Sequence, residues 1–244
     1  MKNEYDNPNF FEAYSQMDRS KKGLDGAGEW HELKKLLPDF TGKTVLDLGC
    51  GYGWHCRYAV EHGAKKVIGI DLSERMIEKA KEMTDSSKIT YHLMGMNDID
   101  KLEETFDIVI SSLALHYVPS FDEMAKKVNH RLNPDGAFVF SAEHPIFTAQ
   151  GTEDWVYDTE GHPLYWPVDH YFDESIRETT FLGETVLKYH KTLTTYLDGL
   201  LTNGFQITRL VEPMPAPEML EASAQMRDEL RRPMMLLVSA KKNK

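Results

Sequence analysis

Thr44-Val45-Leu46-Asp47-Leu48-Gly49-Cys50-Gly51-Tyr52-Gly53-Trp54 is the stretch that decides the fold. Val45, Leu46 and Leu48 read as a buried strand. Gly49, Gly51 and Gly53 then form a G-x-G-x-G turn, and a helix is expected from Trp54. Glycine tolerates positive φ and carries no Cβ to block a ligand lying against the backbone. The helix N-terminus beyond it offers unpaired N–H groups and partial positive charge. Strand, turn and helix together suit a nucleotide-like ligand.

About twenty residues on, Val67-Ile68-Gly69-Ile70-Asp71-Leu72-Ser73 repeats the theme. It is a second apolar strand ending in an acid, and an ionised Asp can accept both hydroxyls of a ribose. The glycine spacing is one residue shorter than the dinucleotide fingerprint G-x-G-x-x-G, with Asp47 two residues before the first glycine.

Outward from this pair the chain alternates. Strands are expected at 44–48, 66–70, 88–93, 106–110, 137–141, 205–211 and 234–240. Helices are expected at about 54–63, 73–83, 121–132, 193–201 and 218–232. Ser73 suits an N-cap, and Asn133-Pro134-Asp135-Gly136 reads as a turn. Strands alternating with helices predict a doubly wound, mostly parallel α/β sheet. Ahead of it, Phe10, Phe11, Tyr14 and Met17 form one apolar helical face. Trp30, Leu33, Leu36 and Leu37 form another, stopped by Pro38. The rhythm breaks over 143–190, a stretch rich in aromatics and proline.

The quoted motifs resemble the class I S-adenosylmethionine-dependent methyltransferases, within them the "type 11" small-molecule group. The likeness is good over residues 40–142 and weaker elsewhere. It implies a Rossmann-like, seven-stranded sheet whose last strands form a hairpin-like pair, one of them antiparallel. It also implies one domain over 1–244, with residues 1–40 as a helical lid over the cofactor and 143–190 as an inserted substrate cap. The cofactor would be S-adenosylmethionine. Asp47, Gly49, Cys50, Gly51 and Gly53 would lie at its methionine portion and sugar, Asp71 would hold the ribose, and Leu72 and Met76 would flank the adenine. Tyr14 and Arg19 would reach it from the lid, with Arg19 at its carboxylate, and Ser112 from the end of strand 4. After strand 3 the family places an acid toward the adenine amino group. That position is Gly95 here, leaving Met96 and Asn97, with Asp98, as candidates.

The candidate catalytic residues lie at the ends of strands 4 and 5. They are His116 in Ser111–Val118, and Glu143 and His144 in Ser141–Ile146. A Glu–His pair can serve as a general base, since His titrates near neutrality. His170 and His190 are alternatives in the cap. Asn/Asp-Pro-Pro-Tyr/Phe, the motif used on amino groups of bases and amides, is absent from strand 4. Methyl transfer chiefly requires a nucleophile held in line with the methyl. No carboxylate cluster suggests a metal.

The 244 residues are 41% hydrophobic and 27% charged, ordinary for a globular protein. No apolar run nears the roughly 18 residues of a membrane span, and the polar N-terminus carries no signal-peptide core, so a cytoplasmic protein is expected. A net charge of −11 argues against nucleic-acid substrates. Cys50 and Cys56 lack metal-ligand spacing and read as packing residues. The expected function is methyl transfer to a small molecule. The rivals are a non-catalytic module holding the cofactor or its demethylated product, an NAD-dependent oxidoreductase, and an RNA methyltransferase.

Overall fold

A computed structural model describes residues 4–243. Apolar runs build a central parallel sheet from β1 (Thr44–Leu48), β2 (Lys66–Asp71), β3 (Ile89–Leu93), β4 (Phe106–Ser112) and β5 (Leu132–Glu143). Their crossovers are α4 (Trp54–Glu61) after β1, α5 (Glu74–Glu82) after β2 and α6 (Phe121–Arg131) after β4. Ahead of them lie α1 (Pro8–Ser15), α2 (Asp18–Lys21) and α3 (Trp30–Leu36). After them come α7 (Pro145–Thr148), β6 (Val156–Tyr157), β7 (Pro163–Tyr165), β8 (Ile176–Phe181) and β9 (Glu184–Tyr189). The chain then runs through α8 (Leu193–Thr202), β10 (Phe205–Val211), α9 (Pro217–Ala222) and β11 (Met235–Lys242). The main sheet has seven strands in the order β10-β11-β5-β4-β1-β2-β3. Only β11 runs antiparallel to its neighbours, β5 and β10.

Both sheet faces are buried, which is why these strands read as continuous apolar runs. On one face Leu46, Leu48, Ile68, Val109, Phe138 and Phe140 pack with Phe121, Val128 and Leu200 of α6 and α8. On the other, Val45, Val67, Ile108 and Ile110 pack with Cys56, Ala59, Ile77 and Ala80 of α4 and α5. Side chains of Ser73, Ser120 and Thr192 accept N–H groups in the first turns of α5, α6 and α8.

Three local expectations are corrected. The turn Asn133–Gly136 is not a break before strand 5. Leu132 already pairs with Phe106, and the register shifts before Ala137 meets Ile108, with Asp135 at φ 63°. The four residues are a bulge inside β5. The helix expected at 218–232 splits into α9 and a 3-10 segment, Ala224–Arg231, because Ser223 is extended. That bend carries Arg231 over Trp155 at 4.5 Å and Arg232 over Trp166 at 3.9 Å, cation–π contacts that a straight helix would forgo. The aromatic stretch 143–190 is ordered into two hairpins, β6–β7 and β8–β9. Several of its aromatics form the hairpins' own small core: Phe147 stacks on Trp166 at 5.0 Å, and Trp155 meets Trp166 edge-on.

Two features beneath the glycine turn generate predictions. Gly53 has φ 73°, and a Cβ there would lie 2.1 Å from the Tyr91 hydroxyl. Gly53→Ala is expected to cost at least about 2 kcal/mol in urea unfolding, combining backbone strain with a clash. Gly42→Ala, at φ 70° with open space around it, should cost only about 1–2 kcal/mol, which isolates the clash. Asp47 is 1% exposed and accepts a hydrogen bond from Cys56 Sγ at 3.2 Å. Burial pushes its carboxyl up to about 7 from its usual 3.8, against that bond. The unfolded chain sheds this proton near 3.8 while the folded chain keeps it to about 7. Asp47 therefore lowers stability progressively as pH rises through that window, and the loss is complete above it. Asp47→Asn should remove this component: its stability relative to wild type rises between pH 4 and 7 and is level above, in unfolding curves across that range.

Candidate functional site

The strand order reverses between β1 and β4, and ligands of open α/β sheets bind at the carboxyl ends flanking such a point. There the chain leaves β1 through Gly49, Gly51 and Gly53, all at positive φ. The amides of Gly49 and Cys50 both donate to Ile70 O at 2.9 Å, folding the turn across the end of β2. A Cβ on Gly49 would strike Ala114 and one on Gly53 would strike Tyr91, whereas one on Gly51 would meet nothing within 4 Å. Two of the glycines thus serve the fold, and the middle one faces open space.

Asp71 sits at the end of β2 as expected, and it works within the protein. Its Oδ2 accepts the Gly51 amide and its Oδ1 the Ser73 amide, each at 2.9 Å. Burial raises its carboxyl, and these two amides oppose the shift. Each oxygen keeps lone-pair capacity for a further donor.

A cleft of about 480 Å³, part of it open to solvent, lies over the turn. Gly49, Cys50, Gly51 and Ser112 form its floor, and Tyr14 and Arg19 close it from the N-terminal segment. Arg19 grips Glu29 through one nitrogen at 2.9 and 3.0 Å, and Ser112 Oγ donates to the same carboxylate at 3.0 Å. Glu29, 1% exposed, was not anticipated. Its only signal is a lone acid at the start of an apolar helix. Tyr52 Oη, Trp54 Nε1 and His55 Nε2 belong to cleft-lining residues, and all three are buried without a hydrogen-bond partner among the described residues. Such orphans suit a ligand rich in polar atoms.

The remaining expected cofactor residues are more scattered. Asp47 lies beneath the turn and Gly53 ends it, and neither lines the cleft. Leu72 is 58% exposed, with its Cδ1 3.5 Å from where a Gly95 Cβ would stand. Met76 is buried at the start of α5. Met96 is partly buried against the core. Asn97 is exposed, and its carbonyl accepts Lys127 Nζ. Asp98 pairs with Lys101 at 3.0 Å.

A second polar cluster lies on the same rim. Glu143, ending β5, accepts Lys188 Nζ of β9 at 2.6 Å, and Lys188 also reaches Glu153 at 2.7 Å. Glu143 Oε2 faces His116 Nδ1 at 4.0 Å. Burial holds the imidazole down at about 4, against the pull of Glu143, so it is neutral at pH 7. Burial acts to raise the Glu143 carboxyl, yet it lies below its usual value, and with His116 neutral it is the Lys188 ammonium at 2.6 Å that keeps it ionised. Burial, then the Glu143 charge, pushes Glu153 up to about 7. Tyr5 and Tyr117 cover the cluster, with their hydroxyls 3.1 Å apart. Phe10 of α1 meets Phe181 of β8 edge-on, joining the N-terminal segment to the hairpin. Lys188, Glu153 and Tyr5 were not legible beforehand, because they come from separate segments whose meeting no local pattern encodes.

The expected Glu143–His144 pair does not form. Neighbouring residues of an extended chain point to opposite sides. His144 Nδ1 caps α7 by accepting the Ile146 amide at 3.1 Å, and Nε2 lies 2.9 Å from Glu212 on the far side. His190 is likewise engaged: Nδ1 accepts from Thr148 Oγ1 at 2.7 Å and Nε2 donates to Tyr171 O at 2.9 Å. His170 is exposed. Among the histidines considered, His116 joins the cluster.

Comparison with known proteins gives the class of this site. Residues 45–136 match the sequence family described as a methyltransferase domain. An S-adenosylmethionine-dependent methyltransferase from Mesorhizobium loti is 44% identical, with TM-score 0.81, over 90% of this chain and 100% of that one. A Listeria monocytogenes protein assigned to the same class is 59% identical, with TM-score 0.86, over 91% of this chain and 100% of that one. A Haemophilus influenzae protein of no assigned function is 34% identical over 98% of this chain and 96% of its own length. The glycine turn, the acid of β2 and these likenesses over nearly the whole chain agree: the protein belongs to the S-adenosylmethionine-dependent methyltransferases.

Proposed function

We propose that this methyltransferase acts on a small-molecule acceptor received by His116 and Glu143. One observation carries the reading: a neutral, buried imidazole and a carboxylate face each other on the rim that also holds the cofactor turn. The net charge of −11 favours a small molecule over nucleic acid. No helix of the described residues is long and apolar enough to cross a membrane, which is compatible with work in the cytoplasm.

The residues present fit S-adenosylmethionine. Gly51 offers an open backbone face, Asp71 has free lone pairs for the ribose hydroxyls, and Arg19, Tyr14 and Ser112 converge over the turn for the amino-acid end. Leu72, beside Gly95 and near Met96 and Asn97, provides apolar surface for the adenine. Cys50, Gly53, Asp47 and Met76 act by shaping the turn and the start of α5. When bound, the cofactor supplies an electrophilic methyl group on a sulfonium.

The protein's task is then to place a nucleophile and to answer its charge. His116, neutral at pH 7, accepts a hydrogen bond from the acceptor's polar head. Glu143 sets a negative charge against the positive charge that develops on the nucleophile. Tyr5 and Tyr117 keep the space dry, which strengthens that interaction. Residues 1–40 serve as the lid and 143–190 as the cap. Supporting this, Tyr14 and Arg19 of the first lie in the cleft wall, and Lys188 and Glu153 of the second hold Glu143. His144 has a structural part at α7.

Two outcomes are expected. Asp71→Asn should weaken S-adenosylmethionine binding at least tenfold by calorimetry and also lower the thermal melt, because the side-chain amide can accept only one of the Gly51 and Ser73 N–H groups. Undiminished affinity would remove the ribose assignment. His116→Ala should lower kcat by about a hundredfold while the cofactor Kd stays within twofold, measured with an acceptor found by tritium-transfer screening. Parallel loss of both would mark His116 as structural.

A further inference from the structure

Two buried polar atoms stand opposite one another: Glu143 Oε2, an acceptor, and His116 Nδ1, an acceptor when the ring proton is on Nε2. Glu143 Oε2 and His116 Nδ1 are 4.0 Å apart, and neither has a hydrogen-bond partner among the described residues. The His116 side chain is 4% exposed and that of Glu143 16%. At 4.0 Å they are too far apart to bond to each other, and leaving such buried groups unpaired is costly. One nitrogen placed beside the gap reaches both at about 2.9 Å, provided it carries two hydrogens.

The charges nearby are already spent. Lys188 is shared between Glu143 and Glu153. Lys191 Nζ turns to the carbonyls of Val118, Tyr189 and Leu115 at 2.8, 3.2 and 3.4 Å. Arg19 is held by Glu29. Two carboxylates thus share one ammonium, and Glu153 Oε1 is a further buried atom without a donor. Among the described residues, Lys188, Lys191 and Arg19 are the cations that act on the cluster, and each is already committed to other partners, while Glu143 Oε2 and Glu153 Oε1 have no donor. Glu143 and Glu153 disfavour a carboxylate or phosphate, and with the His116 proton on Nε2 a hydroxyl, with one hydrogen, satisfies only one of the two facing atoms.

We propose that the methyl acceptor is a primary amine, with one N–H donated to Glu143 Oε2 and the other to His116 Nδ1. This rests on the reading of the chain as a small-molecule methyltransferase and names its substrate class. The amine reacts in its neutral form. With both hydrogens held by the protein, its one lone pair is left pointing away from the two anchors. That pair forms the N–C bond to the methyl carbon as the C–S bond breaks, and the C–S electrons stay on sulfur. The nitrogen becomes a secondary ammonium that keeps both N–H bonds, now charge-assisted, and leaves in that form. Glu143 is the counter-charge at that moment, and the Tyr117 ring, 4.3 Å from the His116 ring, offers an aromatic neighbour for a cation. Once neutral, the product has a single N–H and can satisfy only one anchor. Transfer is therefore expected to stop after one methyl.

The test uses matched probes on the full chain saturated with S-adenosylhomocysteine. Benzylamine, benzyl alcohol and benzoate, with the phenethyl and n-butyl equivalents, are titrated at pH 8 and followed by saturation-transfer NMR. Amines are expected to bind at least tenfold more tightly than their alcohols and acids. Glu143→Gln should weaken amine binding at least tenfold while S-adenosylhomocysteine affinity, measured by calorimetry, stays within twofold. With S-adenosylmethionine, mass spectrometry should show a single added methyl on an accepted amine. Equal binding of alcohols or acids overturns the proposal, and so does a dimethylated product or amine binding indifferent to Glu143→Gln. Failure of every amine to bind would mean that a bridging water alone fills the gap, which also overturns it. The wild-type comparison stands even if the variant does not fold. Failure of wild type to bind S-adenosylhomocysteine would instead strike the underlying reading of the cofactor site, and the proposal with it.

Discussion

The Asp71 carboxylate is the joint on which the carboxyl edge of the sheet depends. One oxygen takes the Gly51 amide and the other the Ser73 amide. A single side chain thereby ties the turn after β1 to the start of α5 across two strands. The geometry is available because β1 and β2 are parallel neighbours in register, Asp47 beside Gly69 and Leu48 beside Ile70. The N-terminal segment then uses the same joint. Ser73 Oγ donates to Asp6 at 2.6 Å, and the next residue, Tyr5, meets Tyr117 beyond β4. The strap over the site is thus anchored at both sides of the topological switch point.

Electrostatics divides this rim into two regions. Over the glycine turn, Arg19 and Glu29 neutralise one another, and Ser112 and open backbone complete the surface. Around Glu143, two carboxylates share the one ammonium of Lys188, while Lys191 and Arg19 are committed elsewhere. In a buried setting such an imbalance is expensive, because each unpaired charge keeps most of its desolvation penalty. The raised carboxyl of Glu153 is the mark of that cost. A protein built for stability alone would place apolar side chains here. Polar groups retained in a dry location beside a cofactor turn are characteristic of a site whose missing partner arrives with the substrate.

The hairpins β6–β7 and β8–β9 have different roles despite coming from one aromatic stretch. The first packs with Phe147 and receives Arg231 and Arg232 from the segment before β11, so Trp155 and Trp166 are consumed as support while Tyr157 and Tyr165 stay exposed. The second sends Lys188 and Phe181 inward to the rim. Phe172, between them, is 90% exposed. Aromatic content therefore did not mark which part of the insertion reaches the site.

The sequence by itself determined the parallel core, the turn at Gly49–Gly53 and the acid at Asp71. These rest on local constraints: alternating apolar runs, positive φ, and an acid at a fixed distance along the chain from a glycine turn. Tyr14, Arg19, Ser112, His116 and Glu143 were legible as candidates because they flank those markers. Tertiary structure alone decided the partnerships. Glu143 pairs with Lys188 rather than with His144 because adjacent residues of a strand diverge, and Lys188 lies 45 positions away on a separate hairpin. Glu29, Tyr5 and Glu153 gained their places in the same way. Burial of a charge and the identity of its partner are properties of packing between distant segments, and no spacing along the chain records them.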